Sequence, residues 1–526
     1  MKLRPLFFLI EIIIISLALT NVINVQPTEN TVTPIKVGIF APYPSASALS
    51  IYGGWTVQGF QLGLIYATGG TNMTADGRPF ELHYYDTLTG AVDIATLATN
   101  AIENDGIDIL VGGTSSAVAA SIQAVASQYH KIYFITPGAD TSLTGSNFNQ
   151  YSFRLARNSY QDAIVGIKYA WESTGARNFS IIAPGYSFGY SGAQAMQQEI
   201  SKRGGTTVDT IYVPLGTTDF NPYMNALLSD ETNYGVDMLI VIWAGSGFNY
   251  LYAGLDDYNI SSYMNISSGV IDTPSMDYIQ TSMSTGSLIG QTGSAVYGYK
   301  LANNSVNDWL VNESITRGVT PDYGYPGSAS NVYAMDFSDI HVPELFTPDG
   351  FSTAQFMVAA ANKVTDLNSD QMICTLEGMS LLTPKGNETI RTQDHQGLAQ
   401  MYIATIVNDT QANSPTYGHL IGKLVQTYNS EDVAPPIDTT YTGCTVTQST
   451  QTSSSSSQSI QSSSISSQST QSSSTSSPST QSQASGSKLS SQTTFNSINA
   501  NSPGFVFSIS LFSLIVVITL RRRKHT

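Results

Sequence analysis

The sequence predicts an α/β protein of two consecutive Rossmann-like lobes, each built on a parallel β-sheet with helices on both faces. Short runs rich in β-branched and apolar residues alternate with segments of helical periodicity. This rhythm occurs twice, with a break near Arg157–Tyr160. Such alternation needs crossover connections, which join parallel strands. Without the two terminal segments and the Ser/Thr/Gln-rich tail, roughly 410 residues remain, enough for two lobes of ordinary size.

The first series begins with a strand at Ile35–Phe40, which Ala41-Pro42 ends. From Gly54 to Ala67 the apolar residues recur at helical spacing, and Gly69-Gly70 predicts the end of that helix. The series continues with a strand at Phe80–Tyr85, a helix at Ala91–Ile102, a strand at Ile107–Val111, a helix at Ala117–Ser127 and a strand at Lys131–Ile135.

The second series repeats the rhythm: strand Asn178–Ala183, helix Tyr190–Arg203, strand Thr207–Val213, helix Pro222–Leu228 and strand Val236–Trp243. From about Leu288 the rhythm loosens, although a helix at Ala354–Val364 and a strand at Met401–Val407 are still predicted. We therefore expect residues 30–158 to form the first part of lobe 1 and 159–287 the first part of lobe 2. Residues 288–444 then complete both lobes.

The two ends of the chain predict export and a membrane anchor. Residues 1–29 combine Lys2 and Arg4 with an apolar stretch, as in a signal peptide or signal anchor. Residues 503–520 form an apolar segment just long enough to span a bilayer, and the basic end 521–526 follows. Because basic residues favour the cytoplasmic side, the folded head is expected outside the cell. Between head and anchor, the Ser/Thr/Gln-rich residues 445–502 predict a disordered stalk.

Composition narrows the classes of partner. Charged residues make up 11% of the chain and the net charge is −16. This acidic balance, without basic clusters outside the tail, argues against nucleic acid. It fits either a generic acidic secreted protein or adaptation to an acidic exterior. Surface glycans are plausible at eight sequons: Asn72, Asn178, Asn259, Asn265, Asn303, Asn312, Asn387 and Asn408.

Two cysteines, Cys374 and Cys444, suggest one disulfide in an exported chain, with two buried free thiols as the alternative. The six histidines show no metal-ligand spacing, and we find no nucleotide-binding or hydrolase motif in a suitable context. Gly245-Ser246-Gly247 lacks the full nucleophile elbow. We therefore expect no enzyme activity, no metal and no cofactor.

Two strand ends are candidates for a binding site, since ligands of open parallel sheets bind outside the carboxyl ends of strands. Gly112–Ser116 leads from a strand into a helix and would suit an anion, unless Ser115 or Ser116 is only an N-cap. Thr136–Thr141 offers carbonyls, a carboxylate and a hydroxyl, unless it is only a turn with an Asx cap.

From Ile35 to Tyr441 the sequence resembles the leucine/isoleucine/valine-binding type of ABC-transporter solute-binding protein, with the type I periplasmic binding fold. The two terminal segments suggest a membrane-anchored variant in archaeal style. The resemblance rests on motifs in a fixed order: Ile35–Pro42, Tyr52-Gly53, Gly69–Asn72, Tyr85-Asp86, Val111–Ser116, Thr136–Thr144, Arg154, Gly185–Gly189, Thr218–Phe220, Thr383–Gly386 and Asp394–Gln396.

The resemblance implies a receptor whose two lobes, joined by hinge crossovers, close on a small solute. In relatives a serine after the Gly-Gly turn meets the ligand carboxylate, here Ser115 or Ser116, and a Pro-Gly-Ala stretch supplies backbone groups, here Gly138 and Ala139. The remaining expected ligand residues are Tyr52, Asp140, Thr141, Phe188, Ser246 and Asp272, with Asp140 and Asp272 at the positions that hold the ammonium group in relatives. Asp140 stands where relatives carry a hydroxyl, and Phe188 lacks the hydroxyl of the family's tyrosine, so amides, urea, short peptides, polyols and aromatic acids stay open beside amino acids.

The expected function is therefore an extracellular receptor of an ABC importer. Its expected partners are a small-molecule ligand, the ABC permease and ATPase subunits, and the membrane through the C-terminal helix, with a monomeric head. The alternative is a sensory or surface-layer-associated ectodomain that binds a ligand without a role in transport.

Overall fold

The computed structural model describes residues 32–42, 47–88, 93–269, 272–320 and 340–444. Three sheets organise these residues, and two of them define two α/β lobes. The prediction of two lobes is thereby confirmed. Within the described ranges no helix combines the length and apolar character that crossing a membrane requires. The predicted signal segment, stalk and membrane span lie outside the described residues.

The first lobe is built on a five-stranded parallel sheet of order β2-β1-β3-β4-β5. Its strands are β1 (Ile35–Ala41), β2 (Phe80–Asp86), β3 (Ile109–Gly112), β4 (Ile132–Ile135) and β5 (Ser152–Arg154). The helices that follow the first three strands are α1 (Ser50–Ala67), α2 (Ile94–Glu103) and α3 (Ser116–Tyr129). The sequence predicted each of these elements except β5, whose three residues are too short for a periodic pattern.

The second lobe is built on a seven-stranded sheet of order β15-β14-β10-β9-β8-β6-β7. Its strands are β6 (Asn178–Pro184), β7 (Thr206–Val213), β8 (Met238–Val241), β9 (Asn265–Ser268), β10 (Thr292–Ala295), β14 (Met401–Asn408) and β15 (Leu420–Tyr428). The associated helices are α4 (Ser159–Tyr169), α5 (Ser187–Lys202), α6 (Asn221–Tyr234), α7 (Phe248–Asp257) and α8 (Thr273–Ser282). The parallel sheet predicted here is partly corrected, because β14 and β15 run antiparallel.

The last part of the chain returns to the first lobe before it completes the second. It contains α9 (Ser305–Arg317), α10 (Thr347–Ala361) and α11 (Ser369–Leu376), followed by a small antiparallel sheet of β11 (Ser380–Thr383), β12 (Gly386–Ile390) and β13 (Gly397–Leu398). Helix α10 packs lengthwise against α1. The chain thus crosses between the lobes near Leu155–Asn158, after β10 and between β13 and β14.

Glycines allow α1 and α10 to pack at backbone distance. A Cβ at Gly59 would lie 1.8 Å from the Thr347 carbonyl oxygen, and one at Gly350 would lie 2.0 Å from the Thr56 carbonyl oxygen. Both helices are buried over most of their length, so their sequences lack a polar face. In the structure this helix begins at Ser50, four residues before the predicted start at Gly54. No change in periodicity marks Ser50 in the sequence.

Helix α11 is tied to the end of the described chain. A disulfide joins Cys374 to Cys444, whose Cα atoms are 5.4 Å apart. Beside it, the Cys444 amide donates to Glu377 Oε2 at 2.8 Å and the Tyr441 hydroxyl donates to Glu377 Oε1 at 2.6 Å. The last described residues are thus held to the first lobe.

Candidate functional site

A cavity of about 130 Å³ lies where loops at the carboxyl ends of both sheets meet. Its lining is mostly apolar, with a few polar groups. The first lobe and the segment before α10 contribute Leu49, Tyr52, Thr114, Ser116, Pro137, Ala139, Leu345 and Phe346. The region of the first crossing contributes Arg157, Ser159 and Asp162, and the second lobe contributes Tyr186, Phe188, Gly192, Met196, Val241, Ile242, Trp243, Ala244, Gly269, Ser294 and Val296.

The first-lobe wall is formed by the turn from β3 into α3. Gly112 and Gly113 both have positive φ, at 123° and 89°, and a Cβ on Gly112 would lie 2.1 Å from the Phe40 carbonyl oxygen. Only glycine fits this close approach. The turn places Ser116 at the start of α3, where its Oγ accepts a hydrogen bond from the Asp140 amide at 3.2 Å.

The second-lobe wall is formed by the turn from β6 into α5. A Cβ on Gly189 would lie 1.9 Å from the Pro184 carbonyl oxygen, so this glycine lets the helix begin directly against the strand. Tyr186 and Phe188 are thereby turned toward the cavity, and the Tyr186 hydroxyl donates to the Ala244 carbonyl at 3.2 Å. Trp243 adds a third ring, whose buried Nε1 has no hydrogen-bond partner among the described residues.

An ion pair occupies the wall at the first crossing. Arg157 Nε lies 3.1 Å from Asp162 Oδ2, with the two side chains 14% and 19% exposed. The guanidinium also lies over the ring of Phe346, 5.4 Å from its centroid. Burial raises the pKa of the Asp162 carboxyl, and the charge of Arg157 opposes that rise.

Two further carboxyls lie close to one another near the cavity, those of Asp272 and Glu344. Asp272 is buried at the N-terminus of α8, and burial raises its pKa to about 6 although bonds from Ser275 oppose the rise. Glu344 accepts from the Thr273 amide at 3.2 Å, and burial with the nearby Asp272 charge raises its pKa well above the ordinary value. Burial, followed by the charge of Asp272, likewise raises the pKa of the Tyr52 hydroxyl.

A buried polar network around Arg154 holds the loop after β4 in place next to the cavity. Arg154 is fully buried and donates to Gln396 Oε1 at 2.8 Å, to the Gly138 and Asp140 carbonyls at 3.2 and 2.6 Å, and to the Thr144 hydroxyl. These contacts fix the loop after β4, which carries part of the cavity wall.

Four of the predicted ligand residues line the cavity: Tyr52, Ser116, Ala139 and Phe188. They come from both lobes, so the cavity lies between the lobes, as a receptor that closes on a solute would require. The ring of Tyr52 packs edge-on against Phe346 at 5.4 Å. The Ala139 carbonyl accepts from the Ser159 amide at 2.9 Å and from its hydroxyl at 3.1 Å.

The other predicted ligand residues do not line the cavity: Ser115, Gly138, Asp140, Thr141, Ser246 and Asp272. Asp140 Oδ1 accepts from the Ser142 amide at 2.9 Å, as in the alternative of an Asx cap. Thr141 bridges the lobes, because its amide donates to Ser191 Oγ of α5 at 2.9 Å. Ser246 is exposed beyond β8, and Ser115 occupies the N-cap position of α3 without a side-chain bond.

Sequence reasoning did not assign Arg157, Asp162, Tyr186 and Trp243 as ligand residues. Arg157 stood in the break between the two series and Asp162 inside an unassigned helix. One signal was available in the sequence. Asp162 is the acidic residue nearest to Arg157 along the chain, and a helix that begins at Ser159 brings the two side chains together. The described part of the chain contains no group of three His, Cys, Asp or Glu side chains arranged to hold a metal ion. The arrangement suits reversible binding of a small solute with an apolar body and charged or polar ends.

Comparisons with known proteins agree with this geometry. The sequence profile of the periplasmic binding protein family matches residues 34–411. The Leu/Ile/Val-binding protein homolog 4 of Brucella abortus (strain 2308) is 25% identical over 431 residues, which cover 77% of this chain and 91% of the relative.

Solved structures give the same result. An ABC-type branched-chain amino acid transporter protein from Rhodopseudomonas palustris CGA009 superposes with a TM-score of 0.61 at 28% identity, covering 77% of this chain and 99% of that protein. The leucine-, isoleucine-, valine-, threonine- and alanine-binding protein from Brucella ovis, in its closed conformation, has a TM-score of 0.60 at 18% identity over 77% of this chain and 97% of its own. This second likeness supports the fold alone.

Proposed function

This chain belongs to the periplasmic binding protein family, and from that premise we propose that it is the solute-binding receptor of an ABC importer. It would capture a small solute between its two lobes and deliver it to a membrane permease. The solute class we favour is a branched-chain or other amino acid, an amide or a related compound. The names of the 25% identical Brucella relative and the 28% identical structure support this class.

The observation that carries the proposal is the shared cavity. Its lining comes from the carboxyl ends of strands in both lobes and from the first crossing between them. A solute that contacts both lobes stabilises their closed arrangement, because only differential affinity for the two arrangements can shift the equilibrium. Cross-lobe contacts such as that between Thr141 and Ser191 would be broken on opening.

We further propose that the head works outside the cell, held by the apolar segment 503–520. The support is the order of the sequence, in which a Ser/Thr/Gln-rich stretch precedes this segment and the basic run Arg521–Lys524 follows it. The full chain should stay with membranes during alkaline carbonate washing, whereas a chain that ends at residue 502 should be released. Release of both would contradict the anchor.

The receptor proposal is tested by a thermal-shift screen of the purified full-length protein at acidic and neutral pH. The compounds are the proteinogenic amino acids, amides, urea, short peptides, sugars and aromatic acids. A ligand that binds the folded state at a hundredfold excess over its Kd stabilises it by about 2.7 kcal/mol and raises the midpoint. A shift confined to one chemical class supports the receptor. A folded protein that responds to no compound would contradict it and favour a surface protein that binds a partner.

A further inference from the structure

Arg157 is a partly buried cation whose Nε–H makes no well-directed hydrogen bond to any of the described residues. Its contact with Asp162 is an ion pair at 3.1 Å in which the Nε–H is not directed at the carboxylate. Arg154, three residues earlier, places all three of its nitrogens in hydrogen bonds. Buried guanidinium groups are expected to be satisfied in this way. The contrast indicates that N–H groups of Arg157 are available to bind a ligand.

Asp162 presents the opposite charge to the same cavity. One of its oxygens faces Arg157, and the other has no polar partner among the described residues. Its side chain is 19% exposed, so it is accessible from the cavity rather than sealed beneath it. Two opposite charges thus stand side by side, each with unused bonding capacity.

The positions that resemblance assigns to the ammonium group lie elsewhere. Asp140 caps a turn outside the cavity, and Asp272 is 1% exposed and already bonded to Ser275. The cavity therefore needs another acceptor if its ligand carries an ammonium group.

We propose that Arg157 and Asp162 form a zwitterion clamp, in which the guanidinium binds the carboxylate of an apolar α-amino acid and Asp162 accepts its ammonium group. This assignment rests on the proposed receptor function and names the residues that set its specificity. The two charges of an α-amino acid are attached to one carbon, as close together as the charges of the pair. A guanidinium binds a carboxylate with two parallel bonds, and the unused nitrogens of Arg157 can supply them.

Charge balance and the remaining wall agree with a zwitterion. The ion pair is neutral, and a zwitterion keeps the occupied cavity neutral. A simple anion or cation would leave an uncompensated charge in a partly buried site, which is costly. Around the pair, rings and aliphatic groups offer an apolar surface for a side chain: Tyr52, Tyr186, Phe188, Met196, Ile242, Trp243 and Phe346.

The test compares ligands that differ by one charged group. Titration calorimetry on the full-length protein would use leucine, 4-methylpentanoate (no ammonium) and leucinamide (no carboxylate), with the corresponding phenylalanine, 3-phenylpropionate and phenylalaninamide. A hydrogen-bonded charge contributes roughly 1.5–3 kcal/mol, and tenfold in Kd corresponds to about 1.4 kcal/mol. Each truncated ligand should thus bind roughly 10- to 100-fold more weakly than its amino acid.

Single substitutions should remove the discrimination of one group each. In Arg157→Gln, leucine and leucinamide should bind with similar Kd, while the preference for leucine over 4-methylpentanoate remains. In Asp162→Asn, leucine and 4-methylpentanoate should bind with similar Kd, while the preference for leucine over leucinamide remains. Since either change leaves a buried partner unpaired, the double variant R157Q/D162N provides a neutral pair, and its unfolding midpoint without ligand checks that the protein is folded. Arg317→Gln removes a cation from the outer helix α9, 36% exposed, and should change neither preference.

The outcomes separate the clamp from the receptor function. If both variants weaken all three ligands of a set equally, the pair has only a structural role and the clamp is wrong. If the protein binds a compound without the two charges and no amino acid, the clamp is again wrong, although the receptor function stands. If nothing binds to the folded protein, the receptor function itself fails.

Discussion

Replacement of Lys385 by methionine should strongly lower the free energy of unfolding, because it breaks a buried charge cluster beneath the first crossing. Lys385 Nζ lies 2.8 Å from Asp349 Oδ1 and 2.9 Å from Glu388 Oε1, and it donates to the Leu155 carbonyl at 2.5 Å. The lysine side chain is 5% exposed and each carboxylate 1%. One ammonium group thereby joins α10, β12 and the crossing segment.

The magnitude follows from what the substitution leaves behind. Methionine fills a similar volume but leaves two carboxylates buried without a cation, and removal of one partner from a buried ion pair costs about 3–5 kcal/mol. Burial already raises the pKa of Glu388, and Lys385 opposes that rise. The variant should therefore hold Glu388 at a still higher pKa. A carboxyl whose folded pKa exceeds its unfolded value near 4.3 contributes stability below that value and loses it as the pH rises through the folded pKa.

The assay is guanidinium denaturation followed by tryptophan fluorescence at pH 4 and pH 7. Lys385→Met should lower the free energy of unfolding by about 3–5 kcal/mol at pH 7 and by clearly less at pH 4. Lys423→Met, on the exposed face of β15, is the matched control and should change it by less than about 0.5 kcal/mol. A Lys385→Met variant as stable as the wild type at pH 7 would refute the reasoning, as would a deficit that grows toward acid.

Three further predictions concern stability. The double variant Cys374→Ser/Cys444→Ser should lose about 4 kcal/mol of unfolding free energy, because the disulfide closes a loop with a sequence separation of 70, and denaturation curves with and without the substitutions measure this. Gly59→Ala should lower the unfolding midpoint and cost at least 1–3 kcal/mol, roughly the range for overpacking, since its Cβ would meet the Thr347 carbonyl, whereas Ala at the uncrowded, helical Gly166 should not. Asp272, whose pKa is raised to about 6, contributes stability below its unfolded pKa that is lost as the pH rises through 6, so Asp272→Asn should flatten the pH dependence of the midpoint between pH 4 and 7.

The sequence predicted the fold where one residue pattern decided the element. Continuous apolar runs such as those at β1 and β3 mark strands buried on both faces, and Gly or Pro marks their ends. Helix α4 was not predicted, although Tyr160, Ala163, Ile164 and Ile167 recur in it at helical spacing. The antiparallel β15 was missed because its exposed residues interrupt its pattern. Return of the chain to the first lobe depends on contacts between residues hundreds of positions apart, which no local pattern encodes.

The candidate site was predicted only where a turn motif placed it. Ser116 and Ala139 follow strand ends of the first lobe, and Phe188 follows one of the second, so topology alone brings them to the cavity. Asp140 has the right position but the wrong direction, because its carboxylate is used by the Ser142 amide. Such a choice between a local cap and a ligand depends on side-chain geometry. Arg157 and Asp162 form their pair only because α4 begins at Ser159, a start that the capping box of Asn158 and Gln161 marks but that was not predicted.

Several buried charges lie around the first crossing, among them Arg154 and Lys385. Arg154 and Lys385 are satisfied by carbonyls, amides and carboxylates of the first lobe and the crossing segment, so they hold the floor of the cavity in one arrangement. Across the mouth, by contrast, Thr141 meets Ser191 through neutral hydrogen bonds, which contribute about 1 kcal/mol each and can be exchanged for water. Lobe opening should therefore break the mouth contacts and leave the floor intact. Arg157, in the cavity wall at the same crossing, has an Nε–H with no well-directed acceptor among the described residues, and through this group a bound solute would add its contacts to the rigid part of the molecule.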